Sequence, residues 1–255
     1  MFGKKILVLI PHPDDEVVGC FKAIRWAQSL GGKAFGFYLT TGIPSRDRLW
    51  PWQRKAYGRR LTRRHNEAQI AAKILGIEPF RFNDIPSRML KNFLHPVRET
   101  LTRTIRDLEI DTVWTPTYEG GHEDHDASSF LASTLTGQAK VWEFSEYHFY
   151  GGKVKSQEFF SRNGTEQTFS LDRSEQDQKK EALSLYPSER GNLRHIDVLQ
   201  EMFRPLPSYD YSRPPHSGKL FYQRFQWVPW HPRIDYCRPR EVCLAFKDFL
   251  ETVQY

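Results

Sequence analysis

The chain has 255 residues, of which 39% are hydrophobic and 27% charged, a composition typical of a globular protein with one sizeable core. No apolar stretch approaches the roughly 20 residues that a membrane-spanning helix requires, and the first residues lack the apolar region and cleavage site of a signal peptide. The three cysteines fit no zinc-finger spacing. We therefore expect a cytoplasmic protein with reduced thiols rather than a membrane-spanning, secreted or disulfide-rich one.

The net charge of +6 favours anionic partners, and much of the positive charge lies in one stretch of the sequence. This basic segment, residues 46–64, holds eight Lys and Arg residues interleaved with Trp50, Trp52 and Tyr57. Three interpretations are open: a solvated loop and helix start, a rim that contacts the substrate, and a nucleic-acid surface. The first is the most frequent use of such a segment, so we expect no nucleic-acid partner. Peripheral contact with a membrane surface stays open.

Strand and helix signals alternate through the first half of the chain. Lys5–Ile10 is a continuous apolar run, short enough for a strand buried on both faces. Further strands are predicted at residues 34–39, 80–82, 111–114 and 141–144. Helical spacing of apolar residues predicts helices at 16–30, 60–75, 97–108 and 127–135. This alternation predicts a Rossmann-like α/β fold, a mostly parallel sheet with helices on both faces.

The second half has a less regular pattern. Gly151 and Gly152 predict a hairpin between residues 147–150 and 153–155, and a helix is predicted at 174–185. Residues 205–239 are rich in Pro, aromatic residues and Arg, so we expect long loops there. These loops flank a predicted strand at 220–225 and precede a final helix at 241–253. No repeat or linker divides the chain, which predicts a single domain over residues 1–255 with a core at 4–226, an irregular C-terminal part and an extension at 227–255.

Two clusters of imidazole and carboxylate groups follow predicted strands. The first reads HPDDE at residues 12–16, and the second reads GGHEDHD at residues 120–126. The carboxyl ends of parallel strands share one edge of the sheet, where ligands of such folds bind, so both clusters are expected to meet there. Closely packed carboxylates repel one another unless positive charge lies among them. The two clusters together therefore predict a divalent metal ion.

Imidazole and carboxylate ligands suit zinc, and a catalytic zinc site keeps three protein ligands and one open position. Such an ion lowers the pKa of its water ligand towards about 7. Asp14 and Asp15 are adjacent and cannot point the same way, so one can bind the metal while the other acts on water. A second histidine outside the ligand set would stabilise a developing oxyanion. These groups predict a metal-assisted hydrolase.

The two motifs resemble those of the LmbE/PIG-L family of zinc-dependent N-acetyl-sugar deacetylases. The resemblance implies a Rossmann-like fold and one Zn²⁺ per chain, with Fe²⁺ as the alternative metal. It also implies that His12, Asp15 and His125 are the metal ligands. Asp14 would be the general base that deprotonates water and then the acid that protonates the leaving amine.

Further roles follow from the same resemblance. His122 would polarise the carbonyl oxygen and hold the oxyanion, and Asp124 would orient His122. Arg64, which begins the pattern R-x-x-E-x-x-x-A on the second predicted helix, would reach towards the substrate. Asp84, after the third predicted strand, would contact sugar hydroxyl groups. For Arg64 and Asp84, surface ion pairs are equally good explanations.

Several alternatives for single residues stay open. His122 rather than His125 could be the metal ligand. Asp14 could cap the following helix in addition to acting as the base. Glu16 is interpreted as a first-turn carboxylate that complements the helix dipole, and Asp126 as a helix cap, so neither is included in the predicted site.

The predicted function is removal of an N-acetyl group from an N-acetylglucosamine-type amino sugar within a larger, anionic glycoconjugate. The alternative is a metal-dependent amidase that acts on a non-sugar amide. A nucleotide-binding module without catalysis is disfavoured because the first strand lacks the Gly-x-Gly-x-x-Gly fingerprint. Glu189 and Gln223 stand where the family often has Gln and Glu, and the basic segment is an extension. These departures leave the identity of the substrate open. Whether the protein forms homo-oligomers is also open.

Overall fold

The computed structural model describes residues 3–223 and 238–253. The strands of this part of the chain are β1 (Lys5–Ile10), β2 (Lys33–Tyr38), β3 (Glu78–Phe82), β4 (Thr112–Pro116), β5 (Lys140–Phe144), β6 (Tyr147–His148), β7 (Lys155–Ser156), β8 (Gln167–Ser170) and β9 (Gln200–Pro205). The helices are α1 (Asp15–Ser29), α2 (Pro51–Arg54), α3 (Tyr57–Leu75), α4 (Leu94–Leu108), α5 (Glu123–Ser133), α6 (Arg173–Ser184) and α7 (Pro239–Val253). Short 3₁₀ turns lie at Arg46–Arg48, Leu90–Asn92, Tyr150–Gly152, Leu193–His195 and Phe221–Gln223.

Seven strands form one sheet in the order β3-β2-β1-β4-β5-β9-β8, and β6 pairs with β7 in a separate hairpin. The strands β1 to β5 are parallel to one another, whereas β9 runs antiparallel to both β5 and β8. The predicted α/β class, with a mostly parallel sheet and helices on both faces, is confirmed. The predicted hairpin is also present as β6 and β7.

Two strands were not predicted, and one prediction of a strand was wrong. The edge strand β8 buries only Phe169 of its four residues, so its sequence carries little apolar signal. The strand β9 mixes Glu201 and Arg204 with apolar residues and ends in Pro205, a pattern that reads as a loop. Residues 220–223 of the predicted strand at 220–225 include a 3₁₀ turn instead, and residues 224 and 225 lie outside the described part of the chain.

Each face of the sheet is covered by its own helices. Residues of α4, α5 and α7 pack into one core, and residues of α1, α3 and α6 pack into the other. The final helix belongs to the first core, because Phe246 stacks on Phe130 of α5 with ring centroids 4.4 Å apart. The described part of the predicted C-terminal extension therefore packs against the sheet-covering helices.

The strand order favours one place at the edge of the sheet for ligand binding, between β1 and β4. The strands β1 and β4 are neighbours, and their connections leave in opposite directions, to β2 and to β5. The carboxyl ends of such a pair open a crevice between the two following loops. These loops carry the two predicted motifs. In the described residues, no helix has the length and apolar character needed to cross a bilayer.

Candidate metal centre

The loop between β1 and α1 carries the first motif. The backbone N–H of His12 donates to Asp15 Oδ2 (2.7 Å), so the loop folds back onto the first residue of α1. Asp14 has a φ of 130°, a conformation that costs a residue with a side chain about 1–3 kcal/mol. Strain of this kind persists where surrounding contacts hold it, as at functional sites. The carboxylates of Asp14 and Asp15 consequently have different neighbours.

The second motif lies at the start of α5. The predicted helix began at residue 127, but the helix begins at Glu123. His122 caps it, because its Nδ1 accepts a hydrogen bond from the backbone N–H of Asp124 (3.1 Å). Histidine is not among the preferred capping residues, so this helix start could not be predicted from the residue type. His125 lies in the first turn of α5 and is fully buried.

Three side-chain atoms from the two loops converge. His12 Nδ1 lies 3.2 Å from His125 Nε2 and 3.5 Å from Asp15 Oδ2, and the latter two atoms are 3.3 Å apart. A tetrahedral ion with bonds of about 2.0–2.1 Å spaces its ligand atoms about 3.3–3.4 Å apart. All three residues are buried. The donor atoms therefore have the chemistry and the spacing that a tetrahedral divalent ion requires.

Each of the two histidines also contacts a carboxylate with its other ring nitrogen. His12 Nε2 lies 3.0 Å from Asp124 Oδ2, and His125 Nδ1 lies 3.3 Å from Glu146 Oε2. In metal sites such a carboxylate holds the ring N–H, so that the opposite nitrogen presents its lone pair to the ion. Asp124 orients the His12 ring in this sense, whereas Glu146 lies close to His125 Nδ1 without a hydrogen bond.

A second group of possible ligands, formed by His12, His122 and Asp124, fits less well. His122 Nδ1 already accepts the N–H of Asp124. Asp124 Oδ2 already accepts the N–H of Arg88 (2.5 Å) and contacts His12. A ring nitrogen has a single lone pair, so His122 Nδ1 would have to give up this donor before it could bind an ion. The geometry therefore favours His125 over His122 as a metal ligand.

The charges of the cluster also point to a cation. Burial alone lowers the pKa of His12, but hydrogen bonds to Asp124 and Asp15 outweigh it and raise the pKa to about 10. Burial raises the pKa of Asp15, yet His125 and His12 hold it below its usual range. A proton on His12 thus supplies positive charge to buried carboxylates, and a metal ion would supply the same charge. Metal binding and proton uptake therefore compete here.

Asp14 directs its carboxylate towards Arg64 on α3. Its Oδ2 lies 3.4 Å from Arg64 Nη2, and both residues are buried. Burial raises the pKa of Asp14 well above its usual value, although the charge of Arg64 opposes the shift. A carboxyl group with a raised pKa next to a metal site suits proton transfer near neutral pH.

His122 lies against His12, with ring centroids 4.3 Å apart. Burial, followed by the neighbouring His12, lowers the pKa of His122 well below its usual value, so its ring is neutral. Because Nδ1 accepts the N–H of Asp124, the proton of the neutral ring belongs on Nε2. His122 can therefore donate one hydrogen bond from Nε2, as the partner of a developing oxyanion must.

Comparison with known proteins identifies the family to which this centre belongs. Residues 7–136, just over half of the chain, match PIG-L, described as GlcNAc-PI de-N-acetylase. The chain belongs to the PIG-L family. The PIG-L family is metal-dependent and its members are N-deacetylases, so the chain is a hydrolase of that class. None of the curated protein sequences matches the chain.

Solved structures of PIG-L-type deacetylases share the fold. A deacetylase of teicoplanin biosynthesis is 17% identical, with a TM-score of 0.62, and the match covers 79% of this chain and 97% of that one. The A40926 pseudoaglycone deacetylase Dbv21 is 18% identical, with a TM-score of 0.59, covering 79% and 96%. The N,N'-diacetylchitobiose deacetylase from Pyrococcus horikoshii is 20% identical, with a TM-score of 0.51, covering 73% and 70%. At these identities the likeness establishes the fold.

Of the other predicted site residues in this PIG-L structure, some lie in the cluster and one does not. Asp124 contacts His12 (3.0 Å) more closely than His122 Nδ1 (3.6 Å), because the α5 start turns its carboxylate towards the first loop. Its expected role in orienting His122 stays a prediction, and its carboxylate also contacts His12. Arg64 lies within the site beside Asp14. Asp84 is exposed and contacts none of the described residues of the cluster.

Two further interpretations from sequence need correction. Glu16 does lie in the first turn of α1, but it is fully buried and accepts the N–H of Asp14 (3.1 Å). It is therefore part of the site rather than a carboxylate that only complements the helix dipole. Asp126 does not cap α5, since His122 occupies that position; its Oδ1 accepts the N–H of Gly120 (3.0 Å) instead.

Sequence reasoning missed two supports of the site. The loop after β3 reaches Asp124 through Ser87 Oγ (3.3 Å) and the backbone N–H groups of Arg88 and Leu90. Backbone donors leave no trace in a sequence. Glu146 was also missed, although a carboxylate two residues after the predicted strand at 141–144 is the same kind of signal that drew attention to the two motifs.

Proposed function

We propose that the protein is a zinc-dependent deacetylase that removes the acetyl group from an N-acetylglucosamine-type sugar of a larger, anionic glycoconjugate. The observation that carries this proposal is the triangle of His12 Nδ1, Asp15 Oδ2 and His125 Nε2, with sides of 3.2–3.5 Å. These three residues would hold the ion. Two nitrogen donors and one carboxylate oxygen form a ligand set that suits zinc, and ferrous iron is the alternative.

When bound, the ion would act as a Lewis acid towards the amide oxygen and lower the pKa of water. Asp14 takes the proton from the attacking water and later returns it to the leaving amine. Its raised pKa favours both steps near neutral pH. His122 donates from Nε2 to the oxygen of the amide as negative charge develops there. The products are acetate and the free amino sugar.

The substrate class rests on the family and on chemistry at the rim. The family description names GlcNAc-PI, and the solved relatives act on teicoplanin, the A40926 pseudoaglycone and diacetylchitobiose. In this chain the basic segment leads directly into the site. Arg60 lies one helical turn before Arg64 on α3. The carbonyl oxygen of Ile43, just before the basic segment, accepts the N–H of Ser87. Cations at this rim would attract a phosphate or carboxylate of the substrate.

Acetate release from a panel of acetamides tests the proposal. The protein is stripped of metal, reloaded with Zn²⁺ or Fe²⁺, and given N-acetylglucosamine, its 1-phosphate, diacetylchitobiose and an N-acetylated amino acid amide. We expect metal-dependent release from the sugars, with the highest kcat/KM for the phosphate-bearing one. Preference for the amino acid amide would favour the amidase alternative. No release from any compound, with metal bound, would overturn the proposal.

The role of the basic segment has its own variant. Arg60→Glu should raise KM for the phosphate-bearing sugar about tenfold at low salt, by analogy with the loss of one charge-assisted contact of about 1.5 kcal/mol, and leave KM for diacetylchitobiose unchanged. Lys180→Glu, an equal charge reversal on the exposed face of α6, serves as the control. Equal effects of the two variants on KM would show that only the net charge of the protein matters, and not a contact between Arg60 and the substrate.

A further inference from the structure

The backbone at Asp14 needs to be held, because its φ of 130° is a conformation that residues with side chains rarely adopt. Its carbonyl oxygen accepts the N–H groups of Val17 and Val18, both at 2.9 Å, which is the normal start of α1. Those bonds fix the carbonyl but leave the N–H side of the residue undetermined. The direction of the Asp14 side chain therefore depends on what its N–H meets.

The N–H of Asp14 meets a carboxylate that has no contact with solvent. Glu16 Oε2 accepts this N–H at 3.1 Å, only two residues along the chain. The Glu16 side chain is fully buried, so water does not compete for the hydrogen bond between its carboxylate and the Asp14 N–H. Glu16 can accept the N–H of Asp14, two residues earlier on a strained turn, only while its own side chain is held in place.

Tyr186 fixes it. The Tyr186 hydroxyl, fully buried just after α6, donates a hydrogen bond to Glu16 Oε1. The same ring lies under the Arg64 guanidinium (5.6 Å), and Arg64 in turn contacts Asp14 Oδ2 and Ser188 Oγ. The turn after α6 thus supports Asp14 from two sides, at its backbone through Glu16 and at its carboxylate through Arg64.

We propose that Glu16 is a positioning residue for deacetylation, which holds the strained Asp14 backbone so that the Asp14 carboxylate faces the substrate, and that Tyr186 holds Glu16 in place. This inference rests on the proposed role of Asp14 as the general base. Glu16 touches neither the substrate nor the three donor atoms in this arrangement. Its effect should therefore appear in turnover and not in metal content or substrate binding.

Variants of Glu16 test this directly. Glu16→Leu keeps the volume but removes both acceptors, and we expect kcat to fall about 100-fold, the loss that follows a misplacement of about 1 Å. KM and the metal content should stay near wild type. Glu16→Gln keeps an acceptor for the Asp14 N–H and should restore most of the turnover. Tyr186→Phe should lower kcat by an intermediate factor. In an Asp14→Asn background, Glu16→Leu should add no further loss, because both act through one carboxylate.

A matched pair elsewhere in the sheet serves as the control. Tyr209, half-buried in the chain after β9, donates to Glu143 Oε1 (2.8 Å), and Glu143 is a buried carboxylate on β5. Tyr209→Phe should reduce stability without lowering kcat. If Glu16→Leu and Tyr186→Phe both keep wild-type kcat, or if the Glu16 loss adds fully to that of Asp14→Asn, the positioning role is wrong. If Asp14→Asn itself keeps turnover, the proposed base is wrong, and the inference falls with it.

Discussion

At the scale of single residues, the backbone conformation of Asp14 places the adjacent carboxylates of Asp14 and Asp15 in different surroundings. Asp15 faces His12 and His125, and the opposite charge of these rings holds its pKa low. Asp14 faces Arg64 in a buried setting that raises its pKa. A low pKa keeps Asp15 available as an anionic ligand, whereas a raised pKa suits Asp14 for proton transfer.

The first expectation concerns Asp14. Asp14→Asn removes the proton acceptor but leaves the three donor atoms in place. We expect turnover to fall about 10²–10⁴-fold, with one divalent ion still bound per chain. Acetate release and elemental analysis of the same preparation measure both quantities. Turnover close to wild type would show that another group is the base.

The two histidines of the second motif should respond differently to removal. His125→Ala deletes a donor atom of the triangle and should abolish stoichiometric metal binding. His122→Ala deletes only the proposed oxyanion donor, and should lower kcat about 10²–10³-fold with the metal retained. Titration with Zn²⁺ alongside steady-state kinetics separates the two. The reverse pattern would assign the ligand role to His122.

At the scale of elements, α1 must be held firmly, because its first residues form the site. A buried ion pair does this: Lys179 Nζ of α6 donates to Glu201 Oε1 of β9 and to the carbonyl of Val18, both at 2.8 Å. Glu201 also accepts the N–H groups of Lys22 and Ala23 on α1. The antiparallel strand β9, invisible in the sequence pattern, thereby anchors the helix that carries Asp15.

Breaking this ion pair should be costly. Lys179→Met leaves Glu201 buried without its cation, and we expect the free energy of unfolding to fall by about 3–5 kcal/mol. The next residue gives the control, since Lys180 pairs with Asp177 (3.2 Å) on the exposed face of the same helix. Lys180→Met should change stability by less than about 0.5 kcal/mol. Similar urea midpoints for the two variants would contradict the anchoring role.

The hairpin of β6 and β7 should make stability depend on pH. His148 accepts the N–H of Tyr150 (3.2 Å), and burial lowers its pKa to about 4. The unfolded chain therefore takes up the proton first as the pH falls, so the stabilisation is complete above about pH 6.5 and is lost towards pH 4. Between pH 7 and 5 the loss should be about 2 kcal/mol. The variant His148→Gln should lose less over that range, and parallel curves would contradict the assignment.

The elements also show what the sequence could and could not reveal. Strands with continuous apolar runs, such as β1, were predicted to the residue, because burial on both faces leaves a clear pattern. The start of α5 and the strands β8 and β9 were not, because they depend on a histidine cap and on polar residues whose partners are distant. The motifs and the topology predicted that the residues of the ligand triangle would meet, but they predicted neither the contact of Asp124 with His12 nor the carboxylate of Glu146 beside His125.

At the scale of the whole molecule, function depends on where two loops emerge from the sheet. His12 and His125 are 113 positions apart, yet their ring nitrogens lie 3.2 Å from each other, because β1 and β4 are neighbours at the point where the strand order reverses. Helices on both faces fix this edge, and the turn after α6 completes it from a distant part of the chain. The PIG-L fold thus brings together the three donor atoms of the proposed cation site, which no single segment contains.

The location of the metal ion tests the central claim most directly. Crystals of the zinc-loaded protein, measured at the zinc absorption edge, should show one anomalous peak within about 2.0–2.3 Å of His12 Nδ1, Asp15 Oδ2 and His125 Nε2. A peak on His122 and Asp124 instead, or no peak in protein that still releases acetate, would contradict the account.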